Sequence, residues 1–340
     1  ISGLLALEWA RSEWGWWSMQ FNLLVGTCLV FVAVFIWQEG RHPEPILPLS
    51  LFRNREFVLA NAIIFLLAGG MFGAIAYLPT FVQTALDASA TVSGLITTPQ
   101  SMGLLVTSII GGQVLSRTGR YKLQTILGSL LILAGVLLLL TLGPGSRQWY
   151  ISVYMVVLGL GFGLVMPTMS VVTQNVVPFQ MIGVASSARQ FFMQIGQVLG
   201  IAVFGAVLAT SYPSSFNDNV SPEAKAELSP ATLDKLEDPT LRLDQRRFGA
   251  VQQEVRALPN GEAVLDNLLD AQREGITTAM HMILYGSLII VGLGVVVTLF
   301  VREVPLQKSW APSPAAGPAG AGRNAEGMPP PAPAPMVDIH

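Results

Sequence analysis

Seven stretches of this chain are each apolar and long enough to cross a lipid bilayer: residues 21–38, 57–82, 92–115, 123–142, 149–177, 183–211 and 276–301. A helix needs about 20 apolar residues to span the hydrocarbon core, and the first run sits near the lower limit. In lipid every backbone N–H and C=O must be satisfied within the protein, which leaves only helices or closed barrels. These runs lack the strict apolar–polar alternation of barrel strands. The expected fold is an all-α integral membrane protein. Only 12% of the residues are charged, about half the share usual in soluble domains.

The few charges are segregated. Arg41, Arg53, Arg55, Arg117, Arg120, Lys122, Arg302 and Lys308 fall in loops on one side of the predicted spans, whereas the short loops of the other side carry only Arg11 and Arg147. Eight cations against two mark the first side as cytoplasmic. Trp14, Trp16, Trp17 and Trp149 then lie at the outer interface and Trp37 at the inner one, where amphipathic indole rings are enriched. By parity, residues 212–275 lie outside the membrane on the outer face, with twelve acidic and seven basic side chains. The stretch LDQRRFGAVQQEVRAL has the pattern of an amphipathic surface helix; the segment reads as a small cap or, more simply, a loosely ordered loop. Residues 302–340 contain APSPAAGPAGAG and MPPPAPAP. Such a composition buries no core and predicts a disordered cytoplasmic tail.

At the other end, residues 1–10 resemble the outer end of a membrane helix whose beginning is absent, the alternative being a short interfacial segment. A C-terminal portion of a longer protein is expected. The domain plan is thus residues 1–56, with a partial helix, one complete helix and a cytoplasmic link; a six-helix bundle over 57–301; and the tail.

Chemistry of the catalytic kind is not indicated. His42, His281 and His340 are far apart and lack metal-ligand spacing, and no Walker loop is present. The single cysteine, Cys28, lies within an apolar run. The glycine series GLGFG (159–163) falls inside a membrane helix rather than after a strand, so close helix packing is its reading. No metal, cofactor or nucleic-acid partner is expected. The bilayer itself is the first partner.

Between two of the spans stands GGQVLSRTGRYK (111–122). Gly119 suits a tight turn, and cations favour the carbonyl-rich C-terminus of the preceding helix. This stretch resembles the cytoplasmic loop motif of the major facilitator superfamily, Gly-x-x-x-Asp-Arg-x-Gly-Arg-Arg/Lys-Arg/Lys. Gly112, Arg117, Gly119, Arg120 and Lys122 match; Ser116 stands where the family has Asp, and Tyr121 replaces a basic residue. Those departures weaken a salt-bridge latch more than they weaken membership. The link PLSLFRNREFVLAN before a glycine-rich helix, the long outer loop before the last helix, and WGWWS followed by one extra helix are similar to the fourteen-helix drug:proton antiporters. The resemblance covers residues 1–305. It implies the C-terminal six-helix bundle of a major facilitator fold, plus one complete and one partial preceding helix, with the N-terminal half missing.

In that family the first and fourth helices of a bundle line a central cavity, and the third and sixth face lipid. Here the third and sixth runs are almost purely aliphatic at their centres. Asn61, Tyr77, Pro79, Pro99, Gln100, Pro167, Ser170, Gln174, Arg189, Gln190, Gln194 and Gln197 fall on the other four. Polar groups are costly in lipid and turn inward. At 100° per residue, Gly159, Gly163, Pro167, Ser170 and Gln174 share one side of the fourth helix, as either a packing seam or a gating face. Gln190, Gln194 and Gln197 occupy one arc of the fifth, and Gly196 and Gly200 form a small-xxx-small pair on another side. The glutamines, with Gln174 and Ser170 on the fourth helix and Phe65, Phe72, Tyr77 and Met166 on facing helices, are candidates for a substrate path; the alternative is that the glutamines only bridge helices. Arg189 lies close to the cytoplasmic end. A central arginine costs about 2.5–3.5 kcal/mol on insertion scales, whereas one near an end snorkels. Anchoring is its expected role, with a substrate or gating contact as the alternative.

The resemblance implies a secondary active transporter, a proton-coupled exporter of amphipathic, drug-like small molecules. The alternatives are a specific metabolite transporter of the same superfamily and a non-transporting structural or regulatory membrane protein. Protons, a small-molecule substrate and the missing N-terminal half are the implied partners.

Overall fold

The structure, a computed structural model, describes residues 19–39, 41 and 48–303. The partial first helix and the tail expected from the sequence lie outside the described residues. Among the described residues every regular element is helical. The helices are α1 (Met19–Glu39), α2 (Arg55–Ile75), α3 (Leu78–Ala85), α4 (Ala90–Thr118), α5 (Lys122–Leu139), α6 (Gln148–Asn175), α7 (Ile182–Asn219), α8 (Pro222–Glu227), α9 (Pro230–Leu236), α10 (Gln245–Arg256) and α11 (Gly261–Leu299). Among the described residues, five segments are both long and apolar enough to cross a membrane: Arg55–Ala85, Lys122–Leu139, Gln148–Asn175, Phe179–Asn219 and Gly261–Leu299. Helix α4, with 29 residues, is about 43 Å long; Thr97, Thr98, Pro99, Gln100 and Ser101 dilute its hydropathy.

Three boundaries differ from the sequence expectation. The run 57–82 is two helices, not one. Pro79 has no N–H and cannot continue the ladder, so α2 ends at Ile75 and α3 restarts at Leu78. The run 183–211 continues as helix to Asn219, through Pro213. The last helix begins at Gly261 rather than at Ile276. Residues 261–275 are rich in Ala, Leu, Glu, Gln and Arg, good helix formers, but their charge hides them from a hydropathy scan.

Residues 212–275 therefore form a helical cap rather than a loose loop. Ser221, Ser229 and Asp244 each cap a helix, their side chains accepting from Ala224 N–H, Thr232 N–H and the Arg246 and Arg247 N–H groups, which satisfies donors that a helix start leaves open. Tyr212, Phe216, Leu236, Leu241, Val251, Val255 and Leu268 are buried. The Tyr212 hydroxyl donates to Leu236 O at 3.2 Å and Asn217 Nδ2 to Glu237 Oε1 at 2.7 Å. At the foot of the cap, Arg242 Nη1 lies 2.9 Å from Asp87 Oδ1, and Arg273 bridges the other Asp87 oxygen and Asp270. Asp87 adopts a left-handed φ of 49°, which a short polar side chain tolerates best.

Within the bundle, glycines let helices meet backbone to backbone. A Cβ at Gly200 would lie 2.1 Å from Gly69 O, and one at Gly196 2.4 Å from Phe65 O; these positions join α7 to α2. A Cβ at Gly159 would lie 2.1 Å from Gln100 O and one at Gly163 2.4 Å from Leu104 O, joining α6 to α4. A Cβ at Gly161 would lie 2.6 Å from Gly128 O on the opposite flank, toward α5. The GLGFG series is thus a two-sided packing surface.

The bundle end away from the cap is closed by polar staples. Asn54 caps α2, its Oδ1 accepting from Glu56 N–H at 3.0 Å while Nδ2 donates to Val176 O at 3.0 Å. Glu56 Oε2 accepts from Arg302 N–H at 3.1 Å, Arg55 Nη2 donates to Phe300 O at 3.2 Å, and the Tyr121 hydroxyl donates to Arg302 O. Two side chains of α2 and the Tyr121 side chain thereby hold backbone groups of residues 300–302, just past the end of α11.

Candidate functional site

The site is built on α6 and α7, with α2 beside them. The α2–α7 glycine seam fixes which side of α7 faces the bundle and leaves the glutamine arc turned away from it. Gln190 and Gln194 are exposed and Gln197 is half-buried. None of the three makes a hydrogen bond to another helix among the described residues. They are an open polar face about two turns long, not a bridge between helices of this bundle.

The other candidates are placed differently. Gln174 is a bridge: its Nε2 donates to Ser186 Oγ at 3.0 Å, tying the end of α6 to the start of α7. Tyr77 ties the α2–α3 break to α7, donating to Ile201 O at 2.7 Å. Ser170 and Pro167 are half-buried on α6. Met166, half-buried, lies 3.7 Å through its Sδ from Arg189 Nη1. Phe72 packs edge-on against Phe162, ring centroids 5.1 Å apart, which joins α2 to α6. The structure brings Phe72, Met166 and the seams at Gly159, Gly163, Gly196 and Gly200 into one packed frame.

At the basic end of the bundle, Gly119 has φ 67° and its N–H closes α4 on Leu115 O at 2.9 Å. A left-handed residue after a helix is the usual place for glycine. Arg117 and Arg120 are exposed and Lys122 half-buried; none of the three is in an ion pair among the described residues. Tyr121, where the motif has a base, is buried at 1% exposure and holds the end of α11. That substitution exchanges a cation for a helix staple.

Sequence reasoning missed several partners. Gly69 and Gly73 are the α2 half of the α7 seam, and Gly103 reinforces the α4–α6 contact; the four-residue spacing of Gly69 and Gly73 was a usable signal. Glu56 and Asp87 carried none, because their partners are distant in sequence. Among the described residues no group of three or more His, Cys, Asp or Glu side chains is arranged to hold a metal.

Helices of this length and hydropathy, packed through glycine seams with a polar face on two of them, define a multi-pass integral membrane protein. The family model of the Major Facilitator Superfamily matches residues 1–201. The chain belongs to that superfamily of membrane transporters. It is 34% identical over 321 residues to the multidrug transporter protein MdtP of Bacillus subtilis, covering 92% of this chain and 58% of that protein. It is 30% identical over 326 residues to a tetracycline resistance determinant of Streptomyces rimosus, covering 94% of this chain and 92% of that sequence. A solved bacterial homologue of the human lysosomal transporter Spinster aligns over 91% of this chain at 15% identity, with a TM-score of 0.49. The chain spans a little over half the length of MdtP.

Proposed function

We propose that this chain is the second half of a proton-coupled exporter of amphipathic, drug-like compounds, in the manner of the fourteen-helix drug:proton antiporters. The observation that carries the reading is the open glutamine face of α7. Gln190, Gln194 and Gln197 present uncharged amides, each with two donors and an acceptor, on a helix that packs by its glycines elsewhere. Amides recognise varied polar groups without demanding one charge. Phe72, Met166 and Tyr77, with Ser170 and Gln174 on the α6 side, supply adaptable apolar and weakly polar contact. The seams at Gly159, Gly163, Gly196 and Gly200, with Pro167 between turns, let the helices slide or rock as one frame.

In this reading Gly112, Arg117, Gly119, Arg120 and Lys122 form the cytoplasmic turn, held inside by its charge. The cap over 212–275 then faces outward, and the tail is cytoplasmic. Protons and a small-molecule substrate are the ligands, and an N-terminal half completes the path. The relatives named for multidrug transport and tetracycline resistance support the substrate class.

The test is solvent and substrate access. In the complete gene product lacking Cys28, Gln194→Cys and Gln197→Cys should react with water-soluble thiol reagents and be protected by an exported dye. Inertness at both positions, beside a reactive Gln174→Cys, would move the path to α6.

A further inference from the structure

We infer that Arg189 is a carboxylate-binding site within the membrane, on the wall shared by α6 and α7. The inference rests on the reading of this wall as a substrate path, and it adds a charge preference that the glutamines alone do not have.

The direction of the side chain carries the argument. Gln174 lies level with Ser186, its Nε2 3.0 Å from the hydroxyl. The two helices are antiparallel neighbours joined by a short turn, so this register puts Arg189 opposite position 171. Its guanidinium is found elsewhere. Nη1 lies 3.7 Å from Sδ of Met166, five positions or about 7.5 Å farther from the α6–α7 turn. A cation that anchors a helix end extends toward the interface. Arg189 extends toward mid-span instead.

What it meets there is insufficient. Nε is enclosed and has no acceptor. A thioether accepts only weakly, whereas a guanidinium offers five donors in a planar fork. The elements packed on α7 are α2, α6 and α11, with the link Leu49–Arg53, whose Phe52 ring lies 6.0 Å from that of Phe192, and the turn Phe179–Met181; neither short segment carries an acid. The acid of α2 is Glu56, in its first turn and engaged with Arg302 N–H. Helix α6 has no acid, and those of α11 end at Glu274, on the cap side. No ion pair among the described residues reaches Arg189. A charged group inside a membrane protein is retained where an opposite charge or a ligand meets it, and a carboxylate matches the guanidinium fork through two parallel hydrogen bonds. That carboxylate comes either from an amphipathic anionic substrate or from another part of the polypeptide.

Binding and melting measurements separate the two sources without requiring transport. On the purified complete gene product, 1-pyrenebutyrate and its uncharged methyl ester serve as probes. If the substrate supplies the carboxylate, the wild type binds the acid at least tenfold more tightly than the ester. Arg189→Gln abolishes that preference without changing ester binding, and Arg189→Lys keeps part of it. If the polypeptide supplies it, the two probes bind alike and the effect appears in melting. A carboxylate paired with Arg189 loses its charge on acidification, so the stabilisation the pair gives is lost as pH falls; Arg189→Gln removes that acid-side step and Arg189→Lys preserves it. Equal binding of both probes by wild type and Arg189→Gln, together with superimposable melting curves across pH, would overturn the inference. A failed efflux assay with a wild-type preference for the acid would instead count against the exporter reading alone.

Discussion

At the scale of single residues, the bundle depends on hydrogen atoms where other positions carry side chains. A Cβ at Gly200 would sit 2.1 Å from a backbone oxygen of Gly69, and one at Gly73 2.6 Å from the backbone carbon of Gly200. Neither neighbour is the far end of a flexible side chain, so the helices must part. Overpacking of this kind costs about 1–3 kcal/mol. Gly200→Ala should lower the thermal midpoint of the purified protein measurably, while Gly292→Ala, inside α11 where nothing lies within 4 Å of the added carbon, should hold it or raise it slightly. Equal midpoints for the two variants would remove the seam from the account. The glycines on α6 and α7 were legible from their spacing in sequence, but their partners were not. Helical period gives the face a residue occupies, and only the fold says which helix that face meets.

At the scale of elements, the membrane helices were legible because lipid forbids almost everything else, and the cap was largely not. Charged residues interrupt 261–275 and hide a helix that hydropathy reads as loop, although LDQRRFGAVQQEVRAL did announce α10. The cap's attachment was invisible, since Asp87 and Arg242 stand far apart in the chain and neither has a local signature. One consequence is a dependence on pH. The Glu254 carboxyl is held below its ordinary value of 4.5, first by the Thr232 hydroxyl and then by Lys235. A carboxylate depressed in the folded state stabilises it above the unfolded pKa, and that contribution is lost as pH falls through the folded value. Hydrogen exchange, corrected for intrinsic rate, should therefore show α9 and α10 losing protection below about pH 4.5, and Glu254→Gln should flatten that dependence. Protection in the wild type that is constant from neutrality to pH 3 would show that this contact does not hold the cap.

At the scale of the whole molecule, the chain supplies a scaffold, a polar wall and a cap, but no carboxylate in the middle of any predicted span. Proton coupling requires a titratable group within the membrane. Glu39 and Glu56 lie at helix ends, and Asp87 lies in the α3–α4 connection, engaged by the two arginines at the foot of the cap. The chain spans 58% of the length of MdtP, and in the proposed exporter the coupling residues belong to a part beyond these residues. Proton-driven dye efflux, measured in proteoliposomes side by side for the complete gene product and for these 340 residues alone, tests the account most directly. Efflux that collapses with a protonophore is expected for the complete product and none for the shorter chain. Absence of gradient-driven efflux from a folded, correctly inserted complete product would contradict it, and so would proton-driven efflux from the 340 residues by themselves.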